Sequence, residues 1–130
     1  MLVNLRNHPF TLWSAEQKEA AGVLFGTVVD LPFPQIEPGA DIETVLMLAE
    51  AYMVKCMEIL QQEKGTDQIR GVHIMGEMTF TYNLVNKLKE AGIMAVASTT
   101  NREVETDKEG NRVSGFNFIR FREYYIVNNI

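Results

Sequence analysis

The stretch that most constrains this chain runs from Arg70 to Ala97. Gly71-Val72-His73-Ile74-Met75-Gly76 is apolar on both sides of His73, as expected of a strand buried on both faces. Tyr82, Leu84, Val85 and Leu88 then recur at helical spacing up to Gly92, and Ile93-Met94-Ala95-Val96-Ala97 is again strand-like. A strand, a helix and a second strand so close together form a βαβ unit, whose right-handed crossover makes the two strands parallel. His73, flanked by apolar residues, reads as a core or hydrogen-bonded histidine.

The flanking sequence repeats this alternation. Leu2, Val3 and Leu5 form a short strand that stops at Asn7-His8-Pro9, where the fixed φ of proline suits a turn. Ser14 caps a helix with Glu16 and Gln17 in its first turn, Ala20, Ala21 and Leu24 on one face, and Gly26 at its end. Trp13 is placed to pack back onto it. Thr27 to Leu31 is a β-branched second strand, and it runs into Pro32, Pro34 and Pro38, which cannot donate ladder hydrogen bonds. Asp41 opens the longest helix, where Ile42, Val45, Leu46, Ala49, Tyr52, Met53, Cys56, Ile59 and Leu60 recur at three- and four-residue spacing, with a stop predicted near Lys64-Gly65. Glu103 to Glu105 continues extended after the fourth strand. Asp107 to Asn111 reads as a polar turn, and Val113 to Tyr125 alternates around Phe116, Phe118 and Phe121.

The order βαβαβαβ followed by a hairpin predicts a Rossmann-like three-layer α/β domain: a mostly parallel sheet, helices on both faces and a C-terminal antiparallel hairpin. At 130 residues and 46% hydrophobic content, the chain is sized for one domain over residues 1–130. No repeat or linker divides it.

Several functional classes lose their usual signatures. A net charge of -5 argues against binding long nucleic acid through a broad basic surface, while a small anion needs only a local patch. Cys56 is the sole cysteine, so neither an internal disulfide nor a cysteine metal cluster is expected. His8, His73 and scattered carboxylates suggest no metal site. Neither a Gly-x-x-x-x-Gly-Lys loop nor a Gly-x-Gly-x-x-Gly follows the first strand, so no cofactor is expected. The apolar opening meets a charge at Arg6, and Glu50, Lys55 and Glu58 interrupt the longest apolar stretch; no signal peptide or membrane span is expected, and the expected location is the cytoplasm.

Ligands of open α/β sheets bind beyond the carboxyl ends of the strands. That rule selects Arg6-Asn7-His8, Leu31 to Pro38, Met75 to Thr79, and Ser98 to Arg102. Gly76 permits close backbone approach, and Thr79 with the free N–H groups of the following helix suits an anionic oxygen. Glu77 either caps that helix or accepts from a ligand hydroxyl or adenine amine. Ser98, Thr99 and Thr100 offer three hydroxyls beside the planar fork of Arg102, or simply form a turn. His8 is a candidate acid, base or phosphate donor, or an incidental loop histidine. The Tyr52, Met53, Cys56, Met57 and Leu60 stripe reads as core with material left for a dimer contact, and Phe116, Phe118, Tyr124 and Tyr125 suit a subunit interface.

Ala97-Ser98-Thr99-Thr100-Asn101-Arg102-Glu103-Val104, followed by Phe118-Ile119-Arg120-Phe121-Arg122-Glu123-Tyr124, resembles small CRISPR-associated ring-nuclease-like proteins related to the CARF (CRISPR-associated Rossmann fold) group. These similarly end a short first strand in Asn-His or Ser-His, the place held here by Asn7-His8. The match is strongest from Val72 to Tyr125. The resemblance implies a homodimer that binds a cyclic oligoadenylate in a symmetric cleft of paired strand-end loops, in type III CRISPR signalling. Family ring nucleases typically work without metal, using the ribose 2′-hydroxyl to attack the adjacent phosphate and leave a 2′,3′-cyclic phosphate. Carried over, His8, Thr99 and Arg102 become the catalytic candidates. Asn7, Gly76, Glu77, Thr79, Ser98, Thr100 and Asn101 become the ligand-binding ones. A noncatalytic nucleotide sensor or sponge and a structural dimerisation module are the alternatives on the same fold.

Overall fold

All four residues of strand β1, Leu2–Leu5, are buried, because helices cover both faces of the sheet around it. The computed structural model describes residues 1–63 and 68–125, apart from the side chains of residues 103, 105, 113 and 114. The other strands are β2 (Val28–Leu31), β3 (Gly71–Ile74), β4 (Met94–Thr106) and β5 (Arg112–Glu123), in spatial order β2-β1-β3-β4-β5. The first four are parallel and β5 is antiparallel to β4, which is the α/β architecture expected from the sequence.

Strand parity divides the core. Val3, Leu5, Val72 and Ile74 face a larger cluster under α2 (Ile42–Leu60) and α3 (Met78–Glu90). Leu2, Val96 and Phe121 face a smaller cluster with Trp13, Ala21 and Phe25 beside α1 (Ala15–Leu24). Ser14 and Asp41 cap α1 and α2 through bonds from the Gln17 and Thr44 amides, and Gly26 ends α1 at φ +86, a backbone conformation natural to glycine. The predicted helix stop near Lys64-Gly65 falls outside the described residues; α2 itself ends at Leu60.

One element departs from expectation. Ser98 to Arg102 is not a loop after the fourth strand but the middle of β4, which runs on to Thr106. The last β3–β4 pair is His73↔Val96, whereas the pairing of β4 with β5 runs from Val96 to Thr106, so beyond Val96 β4 rises past the parallel sheet with β5 alone beside it. β-branched Thr99, Thr100 and Thr106 suit that extended arm. A bulge sits where Thr99 pairs with Arg120 and Thr100 with Phe118, leaving Ile119 as the extra residue. Phe121, three residues beyond Phe118, therefore shares a face with Phe118 and Phe116. The hairpin closes where Asp107 Oδ1 accepts from the Glu109 and Asn111 amides.

Candidate functional site

Strand order reverses between β1 and β3, the point where an open parallel sheet leaves a crevice beyond its carboxyl ends. A cleft of about 640 Å³ opens there. Arg6 and His8 reach it from the exit of β1, Met75 from β3, Ser98 and Thr100 from β4, and Phe118 from β5. Half-burial draws the Arg6 pKa below its ordinary value, an effect opposed by Tyr124; a guanidinium nonetheless stays charged near neutrality.

A chain of polar side chains lies beneath the cleft, crossing four strands. Asn4 Nδ2 donates to Asp30 Oδ1 and to the His8 carbonyl, each at 2.9 Å. Its Oδ1 is thereby left to accept, and His73 Nδ1 lies 2.8 Å from it. His73 Nδ1 must then carry the proton, which leaves the Nε2 lone pair facing Ser98 Oγ at 3.0 Å. The ring is fully buried and meets Trp13 and Phe121 edge-on, with centroids 5.4 and 5.5 Å away. Burial first, then the Arg6 and His8 charges, push the His73 pKa down to about 3, so the ring is neutral across ordinary pH. The chain also sets the loop above: Trp13 Nε1 joins Asn4 in donating to the His8 carbonyl, and the Phe10 amide donates to Asp30.

Met75 is shared between two cavities. On its α3 side lies a second, largely apolar one of about 420 Å³, bounded by Gly76, Met78, Thr81, Tyr82 and Tyr124. Met78 and Tyr82 are 83% and 68% exposed. Tyr124 is held in place by donating its hydroxyl to the Ile74 carbonyl at 2.7 Å. The Met75 sulfur accepts from the Ser98 amide at 3.3 Å, so the wall between the cavities is tied to β4.

Glu77 takes its capping alternative. Its carboxylate accepts from the Thr79 and Phe80 amides at 2.9 and 2.8 Å and from the Thr79 hydroxyl, and these bonds hold its pKa below the usual carboxylate range. The Thr79 and Phe80 amides and the Thr79 hydroxyl, donors expected to take an anion, are thus already engaged. Gly76 permits a close approach, but by Phe33: a Cβ there would fall 2.3 Å from the ring.

Strand alternation also divides the predicted hydroxyl trio. Ser98 and Thr100 line the cleft, whereas Thr99 turns to the opposite face and donates to the Arg120 carbonyl at 3.2 Å. Asn101 and Arg102 are exposed farther along β4, with Arg102 paired to Phe116, whose ring lines the cleft. Asn7 is exposed on the first loop. The sequence selects Arg6 only as part of its strand-end loop and points to neither Asn4 nor Asp30. The one available signal is that Asn4 is the polar residue interrupting Leu2-Val3-Asn4-Leu5, as His73 interrupts its own strand.

A family model described as the "Uncharacterized protein MJ1673 family" matches residues 1–122, and the chain belongs to that family. No curated protein and no solved structure matches it.

Proposed function

We propose that this protein binds a cyclic oligoadenylate across the crevice, as a homodimer with paired clefts, and opens the ring by metal-independent phosphodiester cleavage. The reading rests on the ring-nuclease resemblance and on one observation above all: a polar cleft with Arg6 and His8 adjoins an apolar pocket with Tyr82 and Tyr124, and the two meet at Met75. A nucleotide needs that pair of environments, charge-assisted donors for phosphate and aromatic surface for a base. In this reading Arg6 and His8 meet the phosphate, Thr100 and Ser98 supply hydroxyl contacts, and an adenine enters beside Tyr82.

A second reading, a noncatalytic sensor or sponge in type III CRISPR signalling, draws on a specific observation. Thr99 faces away from the cleft and Arg102 is exposed beyond its described lining, so two of the three expected catalytic side chains stand apart from His8. Incubation with cyclic tetra- and hexa-adenylate in EDTA, with chromatography of the products and calorimetry of binding, separates the two. Linear products support the nuclease, and tight binding without turnover supports the sensor. Absence of binding to either ring sinks both.

A further inference from the structure

His73 reads from sequence as a core or hydrogen-bonded histidine, yet its surroundings arrange a nucleophile. We propose that Ser98 is a catalytic nucleophile of the cleft, activated by His73 and oriented through Asn4 and Asp30, and that it attacks phosphodiester phosphorus directly in place of the ribose 2′-hydroxyl.

Three geometric facts carry this. Ser98 Oγ sits 3.0 Å from the ring nitrogen that lacks a proton, and Ser98, though only 8% exposed, lines the cleft. The opposite ring nitrogen is held by Asn4 Oδ1 at 2.8 Å, and Asn4 is itself fixed by two acceptors, so the imidazole cannot flip without losing its partners. Beyond Asn4 stands the Asp30 carboxylate, one amide away from the ring, whose Oδ1 accepts from Asn4 Nδ2 and so fixes the group that orients His73. A hydroxyl, a base and a group that orients the base form the arrangement of nucleophilic catalysis. Ser98 Oγ also lies 3.4 Å from the Met75 sulfur, a weaker acceptor than the imidazole lone pair.

The step balances without another reactant than water. Oγ attacks phosphorus as its proton passes to His73 Nε2; the bond from phosphorus to the ribose 5′-oxygen breaks, and that oxygen takes the proton. The chain is then joined through its 3′-phosphate to Ser98. Water attacks phosphorus, giving a proton to Nε2, and the bond to Oγ breaks as Oγ takes that proton back. Arg6 lines the same cleft, and its role in this step is to meet the developing phosphoryl charge. The product ends in a 3′-phosphate and a 5′-hydroxyl, and a 2′-deoxy linkage is cleaved as well.

The choice of phosphodiester substrate rests on the proposed function, while the reactivity of Ser98 does not, so the test begins with a small fluorophosphonate, whose phosphorus is the electrophile. Mass mapping of the treated wild-type protein is expected to place the adduct on Ser98 and not on Ser14, a serine of the same cleft whose Oγ caps α1. Ser98→Ala should take up no adduct, and His73→Gln, if folded by circular dichroism, should react at least tenfold more slowly. No adduct on Ser98, or equal adducts on Ser98 and Ser14, overturns the assignment whatever the fate of the variants. Labelling of Ser98 in a protein that binds no oligoadenylate keeps the nucleophile and sinks the nucleotide reading. Oligoadenylate cleavage by Ser98→Ala at the wild-type rate does the reverse.

Discussion

Asn4 Oδ1 and His73 Nδ1 lie 2.8 Å apart, and this contact settles the tautomer of a histidine held in the core between β1 and β4. Because Asn4 spends both amide hydrogens on Asp30 and the His8 carbonyl, the same side chain links the buried ring to the loop that carries Arg6 and His8. The floor of the cleft and one of its walls are thus a single hydrogen-bonded unit. Disturbing that unit is expected to change stability and site geometry together.

The first consequence concerns acid. His73 titrates near 3 in the folded protein, chiefly through burial, against about 6.5 in an unfolded chain. Between those values the unfolded chain binds a proton that the folded one does not. Stability from the neutral ring is therefore complete above pH ~6.5 and is lost as pH falls toward the folded value. Urea unfolding of wild type and His73→Gln should show wild type losing about 3 kcal/mol more than the variant between pH 7 and pH 4. Parallel pH curves would contradict a buried neutral His73.

Asn4→Ala removes the acceptor of a buried N–H and one of the two donors to the His8 carbonyl. A buried donor left without a partner is costly, so a loss of about 2 to 4 kcal/mol is expected in chemical denaturation at pH 7. A loss under about 0.5 kcal/mol would mean that water or another group replaces the amide.

Much of this molecule was legible in its sequence, and the limits have physical causes. The βαβ unit, the Ser14 and Asp41 caps and the Asp107 turn are local patterns, and each lies where expected. Ser98 to Arg102 was misread because hydroxyl runs form turns as readily as strands; what extends β4 is pairing with β5, a non-local partner. That error grouped Thr99 with Ser98 and Thr100, where strand alternation separates them. The Asn4–His73–Ser98 chain joins residues far apart in sequence, and only the register of β1, β3 and β4 makes them neighbours. Gly76 reads from sequence as a place where a ligand can approach the backbone, but what approaches it is Phe33, from the proline-rich loop after β2.

That contact gives a paired test. A Cβ at position 76 would meet the Phe33 ring at 2.3 Å, and Phe33 also packs edge-on against Phe80. Gly76→Ala is expected to cost about 1 to 3 kcal/mol by overpacking. Combining it with Phe33→Leu should cost less than the two single changes added together, since the clash is then relieved. Strict additivity in thermal melts would show that the ring moves aside freely.

Arg6 and Glu77 separate the binding contribution of the crevice from its structural one. Glu77→Ala removes the α3 cap and should lower Tm by ~3 to 6 °C, while freeing the Thr79 and Phe80 amides for an anion. Arg6 brings positive charge into the cleft, so Arg6→Gln deletes a charge-assisted bond to phosphate. A bond of that kind is worth about 1.5 to 3 kcal/mol, which corresponds to roughly tenfold to hundredfold weaker binding of cyclic tetra-adenylate. If the phosphate lies in the Arg6 cleft, calorimetry will show Arg6→Gln weakened and Glu77→Ala close to wild type. If it lies instead at the α3 N-terminus, Glu77→Ala will bind more tightly than wild type and Arg6→Gln will be unchanged, and the site assignment moves to the other side of Met75.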